Sequence, residues 1–214
     1  MKILNLYSGL GGNRKLWGNN HEVTAVELDP EVAKIYKSNF QNDTVIVGDA
    51  HQYLLQNFEN FDFIWASPPC PSHSKMNTMM YSFKDSKRKS FEYPDMKLYQ
   101  EIILLSSWFK GKYVIENVIP YYTPLIHDYQ EIDRHLFWAN FKLGKFKPSS
   151  THFIKGSSAN DVANFYGFDI STYKGKQRKD KIARNCVHPE TGKYILDRAL
   201  GIIQKKSTNQ MELF

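Results

Sequence analysis

Cys70 stands in a segment whose composition suits a reactive thiol. Two prolines precede it and restrict the backbone that aims its side chain, and Ser72, His73 and Ser74 follow it. A lone cysteine can also be a buried, unreactive thiol. The apolar run 61–66 ends directly before this segment, and α/β enzymes carry their reactive groups on loops that rigid elements position. We therefore expect Cys70 to be a nucleophile.

A carboxyl group, Glu116, is expected near that thiol. It follows the apolar run Tyr113-Val114-Ile115 and precedes Asn117 and Val118. The carboxyl ends of parallel strands share one edge of a sheet, so this loop and the Cys70 loop should meet there. An ordinary surface acid is the alternative, and the apolar strand before Glu116 disfavours it. The pair predicts nucleophilic catalysis assisted by an acid.

Ligand-binding residues are predicted at three other strand ends. The first run leads into Ser8-Gly9-Leu10-Gly11-Gly12, where glycines let the backbone approach a ligand and feed a helix N-terminus. Glu27 is placed to accept hydrogen bonds from two ribose hydroxyls, and Asp49 from an adenine amino group. Alternatively, Glu27 and Asp49 only cap the helices that follow. The three signals together suggest an adenosine-containing cofactor, and the glycine spacing does not fit the dinucleotide pattern.

Alternating strands and helices must position these groups. Strands are predicted over 3–7, 23–27, 44–47, 61–66, 113–116 and 136–141, and helices over 30–39, 94–109 and 189–204. This alternation is typical of βαβ units in a mostly parallel sheet. The periodicity fades from 142 to 181, which predicts a small lobe or a long loop. The predicted fold class is α/β, with a small irregular lobe.

Composition bounds the setting and the partners. There are 28 Lys and Arg against 22 Asp and Glu, a net charge of +6, which favours a polyanionic partner. Cys70 and Cys186 lack CxxC spacing and the seven histidines are scattered, so we expect no disulfide, no metal site and a reducing cytoplasm. No apolar run reaches the ~20 residues of a membrane span. A protein without a membrane partner is expected.

In their order along the chain, these motifs resemble those of the DNA cytosine-5 methyltransferases. The matching segments are Leu6-Tyr7-Ser8-Gly9-Leu10-Gly11-Gly12, Glu27, Gly48-Asp49, Pro68-Pro69-Cys70 and Glu116-Asn117-Val118. The resemblance covers about residues 3–141 and resumes at 184–189. It implies a Rossmann-like fold that depends on S-adenosyl-L-methionine, with a target-recognition lobe. The cofactor residues that it implies are Tyr7, Ser8, Gly9, Gly11, Gly12, Glu27, Leu28, Asp49, Ala50, Pro69 and Asn185.

The same resemblance assigns catalytic roles and shows three departures. Cys70 would add to carbon 6 of cytosine while Glu116, if protonated, bonds to ring N3. Arg134 is the third catalytic candidate, because the family's paired arginines reduce here to Arg134 with His135 beside it. Pro71 replaces the glutamine that usually follows the nucleophile. The stretch between Val118 and the next strand is also shorter than usual for the family.

The resemblance further implies a division of the chain and a duplex DNA partner. A catalytic core over 1–141 precedes a target-recognition lobe over 142–181, a closing segment and helix over 182–204, and a tail over 205–214. A monomer that flips the target base out of double-stranded DNA is expected. The predicted DNA contacts are Ser72, Ser74, Lys75, Arg88, Lys176, Arg178 and Lys179. For 72–94, a solvated charged loop is the alternative.

Two other functions remain open at this point. One is a tRNA cytosine-5 methyltransferase with the same motifs, and the other is a silent module that binds S-adenosyl-L-methionine or DNA. The presence of both Cys70 and Glu116 argues against a silent module.

The tail resembles a clamp-binding peptide. Gln210-Met211-Glu212-Leu213-Phe214 is similar to the peptide by which bacterial replication and repair proteins dock on the DNA sliding clamp. Gln210 would fill a polar notch, and Leu213 and Phe214 an apolar pocket. Alternatively, Leu213 and Phe214 pack back on the domain. The clamp interpretation places the protein in the cytoplasm of a bacterium or a phage-infected host.

Overall fold

A seven-stranded sheet organises the chain, in a computed structural model that describes residues 1–75, 79, 93–149 and 156–202. Its strand order is β3-β2-β1-β4-β5-β7-β6. The first five strands are parallel, whereas β7 runs antiparallel to both β5 and β6. The strands are β1 Lys2–Leu6, β2 Glu22–Glu27, β3 Thr44–Val47, β4 Phe63–Ala66, β5 Lys112–Val118, β6 Gln130–Ile132 and β7 His135–Ala139. This doubly wound arrangement confirms the predicted Rossmann-like α/β class.

The central strands are almost fully buried because helices cover both faces of the sheet. Residues 3–6 of β1 and all of β4 are buried, as expected for parallel strands between two layers. The strand order reverses between β1 and β4. Ligands of open α/β sheets bind at the carboxyl ends of the strands beside such a switch point. Glu27, Cys70 and Glu116 all follow or end strands at that edge.

Six helices and one short 3-10 turn, Phe58–Asn60, lie within the described ranges. Asp29 caps the first helix through its side chain, and a proline occupies its first turn. Asp49 caps the second helix and His188 the last one. The helices are α1 Pro30–Asn39, α2 Ala50–Asn57, α3 Lys97–Trp108, α4 Ala159–Phe165, α5 Lys179–Arg184 and α6 Pro189–Ala199.

The glycine turn does not lead into the expected helix. Residues 12–17 form consecutive turns instead, in which Lys15 N donates to Gly12 O and Trp17 N donates to Arg14 O. These turns carry Arg14 into the interior, where its guanidinium pairs with Asp43 at 2.9 Å. A buried ion pair therefore accompanies these turns, where the sequence predicted a helix.

The segment expected to be irregular, 142–181, contains one short helix, α4, and the start of a second, α5. Val162 and Ala163 of α4 and Ile182 of α5 are buried in one apolar cluster with Val32 and Tyr36 of α1. Helices this short depend on tertiary packing rather than on their own propensity. This part of the chain therefore shares its core with the first βα unit.

Helix α6 covers the same face of the sheet as α1, because Val23 in its apolar cluster and Ala25 in the α1 cluster lie two residues apart on β2. Its Ile195 and Leu196 pack with Ile3 and Phe63 in a second apolar cluster. The helix ends at Ala199, five residues before the predicted end at Gln204. Across the described ranges, no helix has the length and apolar character needed to cross a membrane.

Candidate active site

The Cys70 loop is held by hydrogen bonds at both of its ends. Asn117 at the end of β5 donates its side-chain amide to Pro68 O at 3.0 Å. The carbonyl of Cys70 accepts from His73 N at 3.0 Å and Ser74 N at 3.1 Å. Asn117 is a functional residue whose role the sequence did not reveal, since its partner lies 49 positions away. These bonds fix the backbone that presents the thiol.

The Cys70 thiol is partly buried, and charged side chains act on it. Burial raises its pKa, and the nearby Glu116 carboxylate raises it further. Lys181 on α5 acts in the opposite direction and lowers it. The structure thus brings together the predicted nucleophile, the predicted acid and the last lysine of the predicted recognition lobe.

His135, rather than Arg134, faces Glu116. The His135 Nε2 atom lies 3.5 Å from Glu116 Oε1. Phe137 pairs directly with Glu116, and His135 shares its face of β7 because side chains two residues apart point the same way. Arg134 lies in the two-residue turn between β6 and β7, with its Nε 3.9 Å from Asp133 Oδ2. Strand alternation places His135 on the face of Phe137, but the pairing of Phe137 with Glu116 depends on the register of β7 against β5, which the sequence did not reveal.

Glu27 accepts backbone hydrogen bonds at the end of β2 and is not a helix cap. Its two oxygens accept from Gly9 N and Asp29 N, both at 2.9 Å, whereas Asp29 caps α1. Burial raises the pKa of Glu27, and the backbone hydrogen bonds counteract that shift. Beside it, Ser8 Oγ is buried and has no hydrogen-bond partner among the described residues. Polar atoms that a ligand could satisfy therefore line this edge.

The three glycines of the turn are needed for different structural reasons. Gly9 has a φ of 53°, and a Cβ there would meet no heavy atom closer than 4.0 Å. In contrast, a Cβ on Gly11 would lie 2.4 Å from the Phe40 ring, and one on Gly12 2.1 Å from Val187 O. Only Gly9 leaves the backbone open to a ligand. Close protein packing accounts for the other two.

Asp49 caps α2 with one oxygen and leaves the other for a second partner. Its Oδ1 accepts from His51 N and Gln52 N, at 2.8 and 3.2 Å. Its Oδ2 lies 3.6 Å from Lys97 Nζ. Partial burial raises the pKa of Asp49, but these hydrogen bonds and Lys97 outweigh it and lower the pKa. Helix capping, the alternative role for these residues, thus applies to one oxygen of Asp49 and does not apply to Glu27.

The remaining predicted cofactor residues differ in exposure. Leu28 is exposed beside Glu27, Ala50 is buried, and Pro69 is exposed beside the thiol. Asn185 is exposed at the carboxyl end of α5. Next to it, the Cys186 thiol packs near Gly12, and burial raises its pKa to about 12. The raised pKa favours the neutral thiol of this half-buried residue, which argues against Cys186 as the nucleophile.

The basic residues before α5 lie near the cofactor edge. Tyr173 donates its hydroxyl to Asp29 at 2.7 Å, which anchors their loop beside the end of β2. Lys176 is exposed. Arg178 pairs with Asp180 at 2.9 Å, and Lys179 donates to Ser171 O at 2.9 Å. All three predicted contacts thus lie on one segment next to the site.

The predicted DNA contacts that follow Cys70 differ in their exposure. Ser72 is buried, and its Oγ accepts from Asp95 N at 2.9 Å. Ser74 forms a β-bridge with Pro120, and Lys75 is exposed. Ser72 therefore holds the loop instead of presenting its hydroxyl to solvent. The predicted residues outside the described ranges are Arg88, Gln210, Leu213 and Phe214.

Comparison with curated proteins finds two animal enzymes. The chain is 34% identical over 98 residues to a Spodoptera frugiperda protein named tRNA (cytosine(38)-C(5))-methyltransferase, and that match spans 43% of this chain and 29% of the relative. It is 26% identical over 99 residues to the Mus musculus protein of the same name, spanning 44% and 24%. The matched part therefore covers less than a third of either relative.

Solved structures similar to this chain include other methyltransferases. A Spodoptera frugiperda DNMT2 variant aligns with a TM-score of 0.46 at 20% identity, covering 75% of this chain and 59% of that one. The Entamoeba histolytica methyltransferase EhMeth aligns with a TM-score of 0.40 at 17% identity, covering 76% and 59%.

The family comparison covers most of the described site. The family model for C-5 cytosine-specific DNA methylase matches residues 1–122 of the 214-residue chain. That range contains the glycine turn, Glu27, Asp49, Cys70 and Glu116. The chain belongs to the C-5 cytosine-specific DNA methylase family, and its cofactor is S-adenosyl-L-methionine.

Proposed function

We propose that the chain transfers a methyl group from S-adenosyl-L-methionine to carbon 5 of cytosine in DNA, with Cys70 as the covalent nucleophile. The observation that carries this proposal is the convergence of Cys70 and Glu116 at the carboxyl edge of the sheet. Asn117, which follows Glu116 on β5, donates to Pro68 O two residues before Cys70, so the segments that carry the two groups meet at this edge.

The edge around Glu27 fits the cofactor. Ser8 Oγ is buried without a partner among the described residues, Gly9 leaves open space, and Glu27 keeps a buried carboxylate at the switch point. The side chains would hydrogen-bond to the hydroxyls of S-adenosyl-L-methionine, and the open space at Gly9 would let the cofactor approach the protein backbone. When bound, the cofactor supplies an electrophilic methyl group.

The residues on the cytosine side would activate the ring. Carbon 5 is too poor in electrons to react unaided, so the Cys70 thiolate forms a bond to carbon 6. A protonated Glu116 donates to ring N3 and neutralises the charge that this addition develops. After methylation, a base removes the carbon 5 proton, and the Cys70–carbon 6 bond breaks to release the thiolate. In a duplex, the base must first leave the stack.

A covalent trap tests the nucleophile without knowledge of the recognition sequence. In a duplex with every cytosine replaced by 5-fluorocytosine, fluorine blocks the final proton removal and leaves the adduct intact. We expect a denaturation-resistant adduct with the wild type and with Cys186→Ala, whose thiol is buried. Cys70→Ala should form none. An adduct that persists in Cys70→Ala would refute the assignment.

The nucleic-acid substrate has a second candidate. The clamp-like peptide 210–214 favours DNA, whereas the net charge of +6 suits either polyanion. The names of the two curated relatives favour tRNA instead. Transfer of a tritiated methyl group should label genomic DNA and leave a tRNA pool unlabelled, with Cys70→Ala as the blank. Labelling confined to tRNA would reject DNA in favour of the second candidate.

A further inference from the structure

A carboxylate that the proposed chemistry does not use is buried behind the cofactor edge. Glu101 on α3 has no exposed surface. Its Oε1 accepts from the Tyr7 hydroxyl at 2.5 Å and lies 3.0 Å from His51 Nδ1. Its Oε2 has no hydrogen-bond partner among the described residues. Burying a carboxyl group is unfavourable unless its partners compensate, so this arrangement requires an explanation.

Both partners of Glu101 adjoin cofactor-binding segments. Tyr7 follows β1 and directly precedes Ser8 and Gly9 of the glycine turn. His51 lies in the first turn of α2, and its backbone N–H donates to Asp49. A single side chain of α3 therefore joins the segments that follow β1 and β3, which come from opposite sides of β2 in the sheet.

The backbone of Tyr7 needs such an anchor. Its φ is 56°, in the left-handed region that favours glycine and strains other residues. Burial and the nearby Glu101 raise the pKa of the Tyr7 hydroxyl, so it remains a donor. The bond to Glu101 holds the side chain where the main chain turns from β1 into the glycine turn. Without that bond, the strained residue could relax and move the turn.

We infer that Glu101 is a positioning residue for S-adenosyl-L-methionine, because it fixes Tyr7 and His51 and thereby sets the distance between the glycine turn and Asp49. The inference rests on the proposed placement of the cofactor at this edge. Glu101 acts through its two partners and touches neither the cytosine nor the methyl group. A second group of α3, Lys97, supports the same segment through Asp49.

Calorimetric titration of the full chain with S-adenosyl-L-methionine tests the inference. Glu101→Gln and Tyr7→Phe should each weaken binding roughly tenfold, as expected when a hydrogen bond to a charged group is lost. The double variant should bind no more weakly than the weaker single variant, because both changes remove the same bond. The exposed Glu59→Gln is the matched control and should bind like the wild type.

Thermal unfolding without ligand separates positioning from stability. If Glu101→Gln and Tyr7→Phe unfold at lower temperature but bind as tightly as the wild type, Glu101 is only structural and the inference fails. If Glu101→Gln does not fold, Tyr7→Phe decides, since it removes a single hydroxyl. Failure of the wild type to bind would overturn the proposed cofactor site itself. Normal binding by both folded variants overturns only the inference.

Discussion

Cys70 is a thiol whose reactivity is set by three neighbouring influences. Burial and Glu116 raise its pKa, so the neutral thiol is favoured, while Lys181 lowers the pKa from the other side of the site. The nucleophile is the thiolate, so the balance of these charges determines how much of it is present at a given pH. A nucleic-acid substrate would change that balance by engaging Glu116.

Removing the charge of Glu116 should make Cys70 more acidic. The thiolate fraction of Cys70 grows as the pH rises through the pKa of its thiol. Glu116→Gln removes one of the causes that raise this pKa. The pH profile of Cys70 alkylation by iodoacetamide, followed by mass spectrometry, should therefore move to lower pH. Lys181→Met is the opposite control and should move it to higher pH. An unchanged profile in both variants would mean that these charges do not reach the thiol.

His135 should matter more than Arg134 for adduct formation. The imidazole lies 3.5 Å from Glu116 and can hold the orientation of that carboxyl, whereas Arg134 pairs with Asp133 in the adjacent turn. We expect His135→Ala to slow trapping by 5-fluorocytosine about tenfold or more, within the range typical of acid–base assistance. Arg134→Ala should stay within about twofold of the wild-type rate. The reverse order of effects would restore Arg134 as the catalytic candidate.

At the level of elements, the parallel strands were predictable because their burial on two faces produces continuous apolar runs. The bounds of β3 and α1 match the prediction, and α1 carries the expected proline near its start. The ends of the strands place Glu27, Cys70 and Glu116 at one edge by topology alone. This part of the site follows from local sequence and from the rule that parallel strands share their direction.

Elements that depend on distant contacts were not predictable. The short α4 and α5 form against α1, and a pattern in their own residues does not reveal that partner. The Glu101 cluster joins residues 94 and 50 positions apart. The choice between Arg134 and His135 depends on the register of β7 against β5. Local periodicity carries no information about any of these distances.

The glycine turn and the segment before α6 meet so closely that one methyl group should disturb them. A Cβ on Gly12 would lie 2.1 Å from Val187 O. We expect Gly12→Ala to lower the free energy of unfolding in urea by about 1–3 kcal/mol, as overpacking does. Gly48→Ala is the matched control, since no atom lies within 4 Å of its added Cβ. An equal loss in the two variants would show that the close contact is not the cause.

At the scale of the whole molecule, the two chain halves enclose one sheet. Helices α4 and α5 pack over α1, and α6 packs over β1 and β4 on the same face of the sheet, whereas α2 and α3 cover the other face. The loop before α5 reaches the end of β2 through Tyr173 and Asp29. This contact places the basic residues of the loop near the candidate active site. Within the described residues this basic segment is short, so for the proposed DNA substrate we expect recognition of a short site or loose specificity.

Tethering would compensate for a small recognition segment. We propose that the peptide Gln210-Met211-Glu212-Leu213-Phe214 docks on a bacterial sliding clamp, with the polar stretch 205–209 as its spacer. A ring that encircles DNA would raise the local concentration of substrate without new contacts to the bases. It would also bias methylation toward newly copied DNA.

A pull-down with the host's clamp tests the docking. The full chain should be recovered, whereas a chain that ends at Asn209 should not, because it lacks the glutamine and the apolar pair that would fill the clamp's notch and pocket. Both should methylate naked DNA at about equal rates, since the catalytic residues are intact. Phe214→Ala should weaken recovery, and the exposed Lys110→Ala should not. Equal recovery of the full and shortened chains, or of neither, would rule out docking through this peptide.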